Sequence, residues 1–152
     1  MLYIHFMRPL DPVSGPDVHA TRVAGACLLM RTRRLSRILT RIYVEHLGAF
    51  GLSVSEYTLL AAIGANPGAR ATDLSSALDL EKSTLSRELK RLSEDDLIEV
   101  TSAEGRAQAL ALTGAGAARL AEAMPAWEAA QAAAIAELGP LADALLGHFH
   151  RA

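Results

Sequence analysis

The chain has 152 residues, 51% hydrophobic and 21% charged, which is enough apolar side chain for one core and too short a chain for a two-domain enzyme. Lysine and arginine number 15 against 17 aspartates and glutamates, a formal net charge of -2, so no global field draws the protein to nucleic acid or anionic lipid and any such affinity has to come from a local basic surface. The single cysteine, Cys27, excludes an intramolecular disulfide framework and points to a reducing compartment, so a cytoplasmic protein is expected.

Residues 1–20 hold Pro9, Pro12, Gly15 and Pro16 without periodicity and read as a loosely ordered N-terminal arm. The opening MLYIHFMRPL lacks the basic flank and length of an export signal, and the longest apolar run, Ala24 to Met30, falls far short of the roughly 20 residues a membrane-spanning helix needs. No membrane partner is expected.

From Thr21 to Gly48 the apolar residues Leu28, Leu35, Ile38, Leu39, Ile42 and Leu47 recur at helical spacing, which predicts one long amphipathic helix. Ser53-Val54-Ser55-Glu56 then forms a capping box, and Leu52 and Tyr57 are the two ends of a hydrophobic staple, so a second helix starts there and stops at Asn66-Pro67-Gly68. Thr72 and Asp73 open a third helix carrying Leu74, Ala77 and Leu78, and a fourth runs from about Lys82 to Glu94. Two short helices joined by so tight a turn make a helix-turn-helix.

Beyond Asp95 the period changes. Ile98 and Val100 alternate with Glu99 and Thr101, and Leu110 and Leu112 with Ala109 and Ala111, which predicts a two-stranded hairpin whose loop is Ser102 to Arg106. An alanine-rich helix follows from Gly114 to Leu138, with Pro125 expected to kink it and Gly139-Pro140 to end it, and a last helix holds Leu141, Leu145 and Phe149. Alanine favours the helix but buries little area, so these terminal helices need another surface, which a second subunit would supply.

On the fourth helix Leu85, Leu89 and Leu92 point inward, which leaves Lys82, Ser83, Thr84, Ser86, Arg87, Lys90 and Arg91 outside. Such a cationic, hydrogen-bonding rod fits a DNA major groove, where guanidinium groups bond guanine edges bidentately. The competing reading is a solvated helix in which Glu81 and Glu88 pair with the cations. Arg106 at the hairpin tip is placed to enter a narrow minor groove.

The order of elements from about Ala24 onward resembles the MarR (multiple antibiotic resistance regulator) family of winged helix-turn-helix regulators. The residues that carry the likeness are Gly51-Leu52-Ser53 with Tyr57-Thr58-Leu59-Leu60, Ala71-Thr72-Asp73-Leu74, Leu80 to Arg87, Leu89 to Leu92, Glu104-Gly105-Arg106, and Leu110-Ala111-Leu112-Thr113. The family usually carries an Asp and consecutive arginines in its wing, whereas here only Arg106 is kept, with Glu104 in the acidic place.

The resemblance implies a mainly α fold with a small β-wing, in which a winged helix-turn-helix core (53–113) is flanked by dimerisation helices (21–48 and 114–152) within a single domain, 21–152. It implies a homodimer that presents two winged units to a pseudo-palindromic duplex and acts as a repressor released by a small-molecule ligand or by thiol oxidation. Lys82, Ser83, Thr84, Ser86 and Arg87 would then meet base edges or nearby phosphates, Arg106 the minor groove, and Thr72 and Lys90 the backbone. The alternative is a winged-helix dimerisation or protein-interaction module that binds no DNA.

Two signal sites are candidates. Cys27 has Arg31 one turn later, and a nearby cation favours the nucleophilic thiolate; the placement resembles the thiol-responsive members of the family, against the commoner alternative of an inert core cysteine. Tyr43, Tyr57, Met124 and Trp127 would line the cleft in which the family binds small aromatic compounds, the alternative being core packing. Arg33, Arg37 and Arg41 form an i, i+4 row of like charge that disfavours an isolated helix by about 0.2–0.5 kcal/mol per pair, so an acidic partner surface, a phosphate or solvent must offset it. The five histidines show no metal spacing, and neither a phosphate-binding loop, a dinucleotide motif nor a nucleophile elbow is found. No metal, no cofactor and no catalytic activity are expected.

Overall fold

The computed structural model describes residues 18–102 and 108–149. The elements in order are α1 (Val18–Ala26), α2 (Leu28–Leu47), a 3-10 turn (Gly48–Phe50), α3 (Val54–Ala65), α4 (Ala71–Ala77), α5 (Lys82–Glu94), β1 (Ile98–Ser102), β2 (Gln108–Leu112), α6 (Gly114–Leu138) and α7 (Pro140–Phe149). The chain divides into two compact units, with the boundary inside α2 between Thr40 and Arg41.

In the first unit the single helix expected from Thr21 to Gly48 is two helices, broken at Cys27. Gly25 is a weak helix former just before the break, and its carbonyl is taken by the Arg31 guanidinium in place of a ladder amide. The first of these helices begins at Val18, so the last three residues assigned to the arm are helical. Apolar side chains here are largely in solvent, Leu28 being 76% and Leu29 64% exposed.

The second unit holds the core. Leu47, Leu52, Tyr57, Leu59, Leu60, Ile63, Leu74, Leu85, Leu92, Ile98, Leu110 and Ala123 form one buried cluster. The expected capping box is present at α3: the Ser53 hydroxyl accepts from the Glu56 amide at 3.2 Å, and the Glu56 carboxylate accepts from the Ser53 amide at 2.8 Å. Leu52 and Tyr57, the staple pair, are both buried. At α4 the cap residue is Arg70, and the Asp73 carboxylate accepts from its amide at 3.0 Å, which starts this helix one residue earlier than Thr72.

The hairpin has the register Ile98 to Leu112 and Val100 to Leu110, so Ile98 and Leu110 turn into the core while Glu99 faces away. The α3–α4 connection docks on its second strand, where Gly68 donates to the Leu110 carbonyl and Leu110 donates to the Ala69 carbonyl. Its base is clasped to the start of α6. Thr113 donates its hydroxyl to the Asp96 carbonyl at 2.6 Å, accepts from the Gly116 amide at 3.0 Å, and sends its own amide to the Leu97 carbonyl at 3.1 Å.

Helix α6 is a continuous helical segment through Pro125, and its small residues Gly116, Ala123, Ala126, Ala130 and Ala134 are the buried ones. Gly139, at φ 55°, ends it, and Pro140 occupies the first position of α7, where its fixed φ and missing amide are tolerated. No single described helix is long and apolar enough to cross a membrane.

The clasp makes a sharp demand on Gly116, because a Cβ there would lie 1.9 Å from the Leu97 carbonyl oxygen. Backbone has to move to admit it, so Gly116→Ala should lose at least about 1–3 kcal/mol in denaturant unfolding. At Gly64 the added Cβ meets only the tip of the Leu112 side chain, at 2.9 Å, which can turn aside, so Gly64→Ala should cost clearly less.

Candidate nucleic-acid interface

The α4–α5 turn is built by two features of its sequence. Asp79 takes a left-handed conformation, φ 49°, which Asp tolerates better than bulkier residues. The Leu80 amide then reaches back to the Ser75 carbonyl at 3.0 Å, while the Ser75 hydroxyl donates to the Leu80 carbonyl at 2.8 Å. The two helices are thereby fixed at a short turn, with Leu74 of the first and Leu85 and Leu92 of the second sharing the core.

Burial of Leu85 and Leu92 orients α5, and residues three and four apart share a face. Ser83, Arg87, Lys90 and Glu94 form the stripe opposite the core, all exposed. Lys82, Ser86 and Ser93 form one flank and border a groove of about 500 Å³ shared with Thr72 of α4 and Gln108 of the hairpin, its floor made by Leu85, Leu89 and Val100. Thr84, Glu88 and Arg91 form the other flank.

The side chains on this face have few fixed partners. Arg87 lies back along the helix, donating to the Ser83 carbonyl and the Thr84 hydroxyl, both at 3.4 Å. The Ser83 hydroxyl donates to Glu81 at 3.3 Å. Lys90 is 3.6 Å from Glu94 with both side chains mostly in solvent, an arrangement of small net value that a stronger anion readily displaces. Arg91 differs from its neighbours: its guanidinium sits 3.2 Å from the Glu56 carboxylate, which is only 6% exposed. Thr72 is exposed at the start of α4. Arg106, the expected minor-groove cation, lies outside the described residues, as do Glu104 and Gly105.

The two candidate signal sites have different surroundings. Cys27 is a half-buried free thiol at the α1–α2 break, and the Arg31 guanidinium expected beside it is bonded to the Gly25 carbonyl. Among the four residues of the expected cleft, the Tyr57 hydroxyl donates to the Met124 sulfur at 3.6 Å and the Tyr43 hydroxyl donates to the Gln131 side chain. Burial pushes both phenols above their ordinary range, and Tyr43 raises Tyr57 further, so both remain protonated donors at neutral pH. Trp127 and Tyr43 pack against the core cluster as partly buried residues. No three described His, Cys, Asp or Glu residues gather as a metal-binding group.

Three features escaped the sequence reading: the Arg91 to Glu56 pair, the Gln131 partner of Tyr43, and the break at Cys27. Only the last had a local signal, Gly25. The others join residues 35 and 88 positions apart, beyond the reach of any spacing rule.

A tight helix pair, an exposed cationic stripe on its second member and an adjoining hairpin define a winged helix-turn-helix. Residues 50–109 match the profile of the MarR family, so the winged unit of this chain is similar to that family's. Among solved structures, the transcriptional regulator MosR of Mycobacterium tuberculosis in complex with DNA is 26% identical, with 83% of this chain and 96% of that one covered and a TM-score of 0.67. The transcriptional repressor CouR bound to a 23-mer DNA duplex is 21% identical, covering 90% and 98%, with a TM-score of 0.74. The M. tuberculosis MarR family protein Rv2887, in complex with salicylic acid, is 20% identical, covering 83% and 95%, with a TM-score of 0.64. The search of curated proteins found no match.

The left-handed Asp79 sets a test of the turn. Asp79→Val, β-branched at a positive φ, should lose about 1–2 kcal/mol in denaturant unfolding, whereas Asp79→Gly should stay near the parent because glycine adopts this conformation freely.

Proposed function

We propose that the protein is a sequence-specific DNA-binding transcriptional regulator, a homodimeric repressor that presents two copies of α5 to a pseudo-palindromic duplex. The observation that carries the reading is the one-sided burial of α5, which leaves Ser83, Ser86, Arg87 and Lys90 exposed on a winged unit of a family with DNA-bound members. Arg87 is proposed as the bidentate base contact, Ser83, Thr84 and Ser86 as shorter-range donors and acceptors, Lys82, Lys90 and Thr72 as phosphate contacts, and Arg106 as the minor-groove cation. A cytoplasmic place of action is proposed with it, in keeping with a chain that has a single cysteine. It is not an enzyme in this reading.

Selection of bound sequences from random duplex DNA tests the proposal directly, since an interaction module without DNA affinity enriches nothing. On the selected duplex, Arg87→Ala should lose roughly 1–3 kcal/mol and relax preference at one base pair in each half-site. Lys90→Ala should weaken all sequences alike and lower the salt dependence by about one counterion. Parental affinity in both variants would remove Arg87 and Lys90 from the DNA contacts.

Release of DNA is proposed to follow a small aromatic ligand, by analogy with the salicylic acid complex of Rv2887, or oxidation of Cys27. Either would act by favouring a dimer geometry in which the two α5 helices no longer match successive grooves. In the oxidation route a hydroperoxide converts the Cys27 thiolate to a sulfenic acid and leaves as the alcohol, and a second thiol from outside the chain or from the other subunit condenses with the product, releasing water. Hydroperoxide should release DNA from the parent and not from Cys27→Ser, read by fluorescence anisotropy. Equal release from both removes Cys27 from the mechanism.

A further inference from the structure

We propose that Arg91 is a positioning residue and not a DNA contact: its guanidinium, held by the buried Glu56 carboxylate, sets the orientation in which α5 is offered to the duplex. This rests on the DNA-binding reading above and adds to it a residue pair outside the reading face.

Among the described residues Glu56 is the buried charged one, 5% exposed, and a carboxylate taken out of water has to be matched by donors on both oxygens. One oxygen accepts the Ser53 amide at 2.8 Å and the other lies 3.2 Å from an Arg91 guanidinium nitrogen. The first bond ties Glu56 to the start of α3, so the carboxylate has an orienting partner independent of Arg91. The second then ties α3 to α5 near the C-terminal end of the latter, seven residues beyond Thr84 on the same flank.

Burial of Leu85 and Leu92 decides which face of α5 meets the core, but apolar contact is non-directional and fixes the last few degrees of rotation less tightly than a hydrogen bond does. A hydrogen-bonded ion pair on one flank is directional and removes that freedom. Rotation matters here because Arg87 and Lys90 lie on the neighbouring stripe, and a small turn of the rod moves their long side chains away from the groove. Use of Arg91 as a phosphate contact, in contrast, would strip the buried Glu56 of its counter-charge. The geometry therefore separates the two arginines of this helix into a reader, Arg87, and a holder, Arg91.

The experiment uses the full chain and a fluorescent duplex of the selected sequence, with affinity of the folded protein measured by anisotropy across a salt series. Far-UV circular dichroism at the assay temperature fixes the folded fraction. Glu56→Gln retains an acceptor for the Ser53 amide but loses the charge, and Arg91→Ala leaves the capping box whole. Each should bind about tenfold or more weakly than the parent at one salt concentration, the double variant should bind no more weakly than the worse single, and the salt slope should stay parental throughout.

A slope lowered by about 0.9 in Arg91→Ala would make the arginine a phosphate contact and overturn the inference. Parental affinity in Glu56→Gln overturns it equally, whatever Arg91→Ala does. If Glu56→Gln melts below the assay temperature, the slope and affinity of Arg91→Ala decide alone. Failure of the parent itself to bind any selected duplex is a different result and removes the DNA-binding reading.

Discussion

The structure depends on one constraint, the burial of a single stripe of a short helix. Leu85 and Leu92 are almost wholly removed from water, and burying each contributes on the order of 1.5–3 kcal/mol relative to exposure. A helix of 13 residues is too short to hold its shape alone in water, so this tertiary burial is what makes α5 a helix at all. The same burial leaves the opposite stripe in solvent. Exposure of Ser83, Arg87 and Lys90 is thus a consequence of how the core closes.

Rigidity of that display comes from backbone bonds placed where the elements join. The Leu80 to Ser75 return sets the helix pair, the Gly68 and Ala69 exchange with Leu110 brings the α3–α4 connection onto the hairpin, and Thr113 locks the hairpin base to α6. Each joint uses a residue suited to it by its own chemistry: Asp79, Gly68 and Asp96 at positive φ, and Gly116 where a carbonyl lies against the helix. The α4–α5 pair, the α3–α4 connection, the hairpin and α6 are thus linked to their neighbours by hydrogen bonds at each joint.

What the sequence disclosed followed from local physics. The capping box at Ser53 and Glu56, the period-two strands and the leucine stripe of α5 are all decided by residues within a few positions of one another, and all three are found where the spacing put them. The helix break at Cys27 was hidden because periodicity carries across a single irregular residue: the apolar positions on either side stay nearly in phase. The role of Arg91 was hidden for a different reason. Its spacing from Leu85 and Leu92 places it outside the apolar stripe, and every such residue looks solvent-facing until the partner helix is in place. Of the four cleft candidates Tyr57 and Met124 meet, whereas the partner of Tyr43, Gln131, is too distant in sequence for any spacing rule.

Charge is where composition and structure part most clearly. The formal net charge of -2 hides an uneven distribution: Arg22, Arg31, Arg33, Arg34, Arg37 and Arg41 fall between Val18 and Val44 with no acidic residue among them. This segment also exposes Val23, Leu28, Leu29 and Met30. Helices with apolar residues in solvent and like charges repeating at i, i+4 are poorly stabilised by their own contacts. In the dimeric reading proposed above, stability of α1 and the start of α2 comes from the second subunit, whose acidic residues outnumber its basic ones beyond this segment. In the proposed reading it is the local stripes on α5 and α2, not the net charge of the whole chain, through which the protein meets DNA and a second copy of itself.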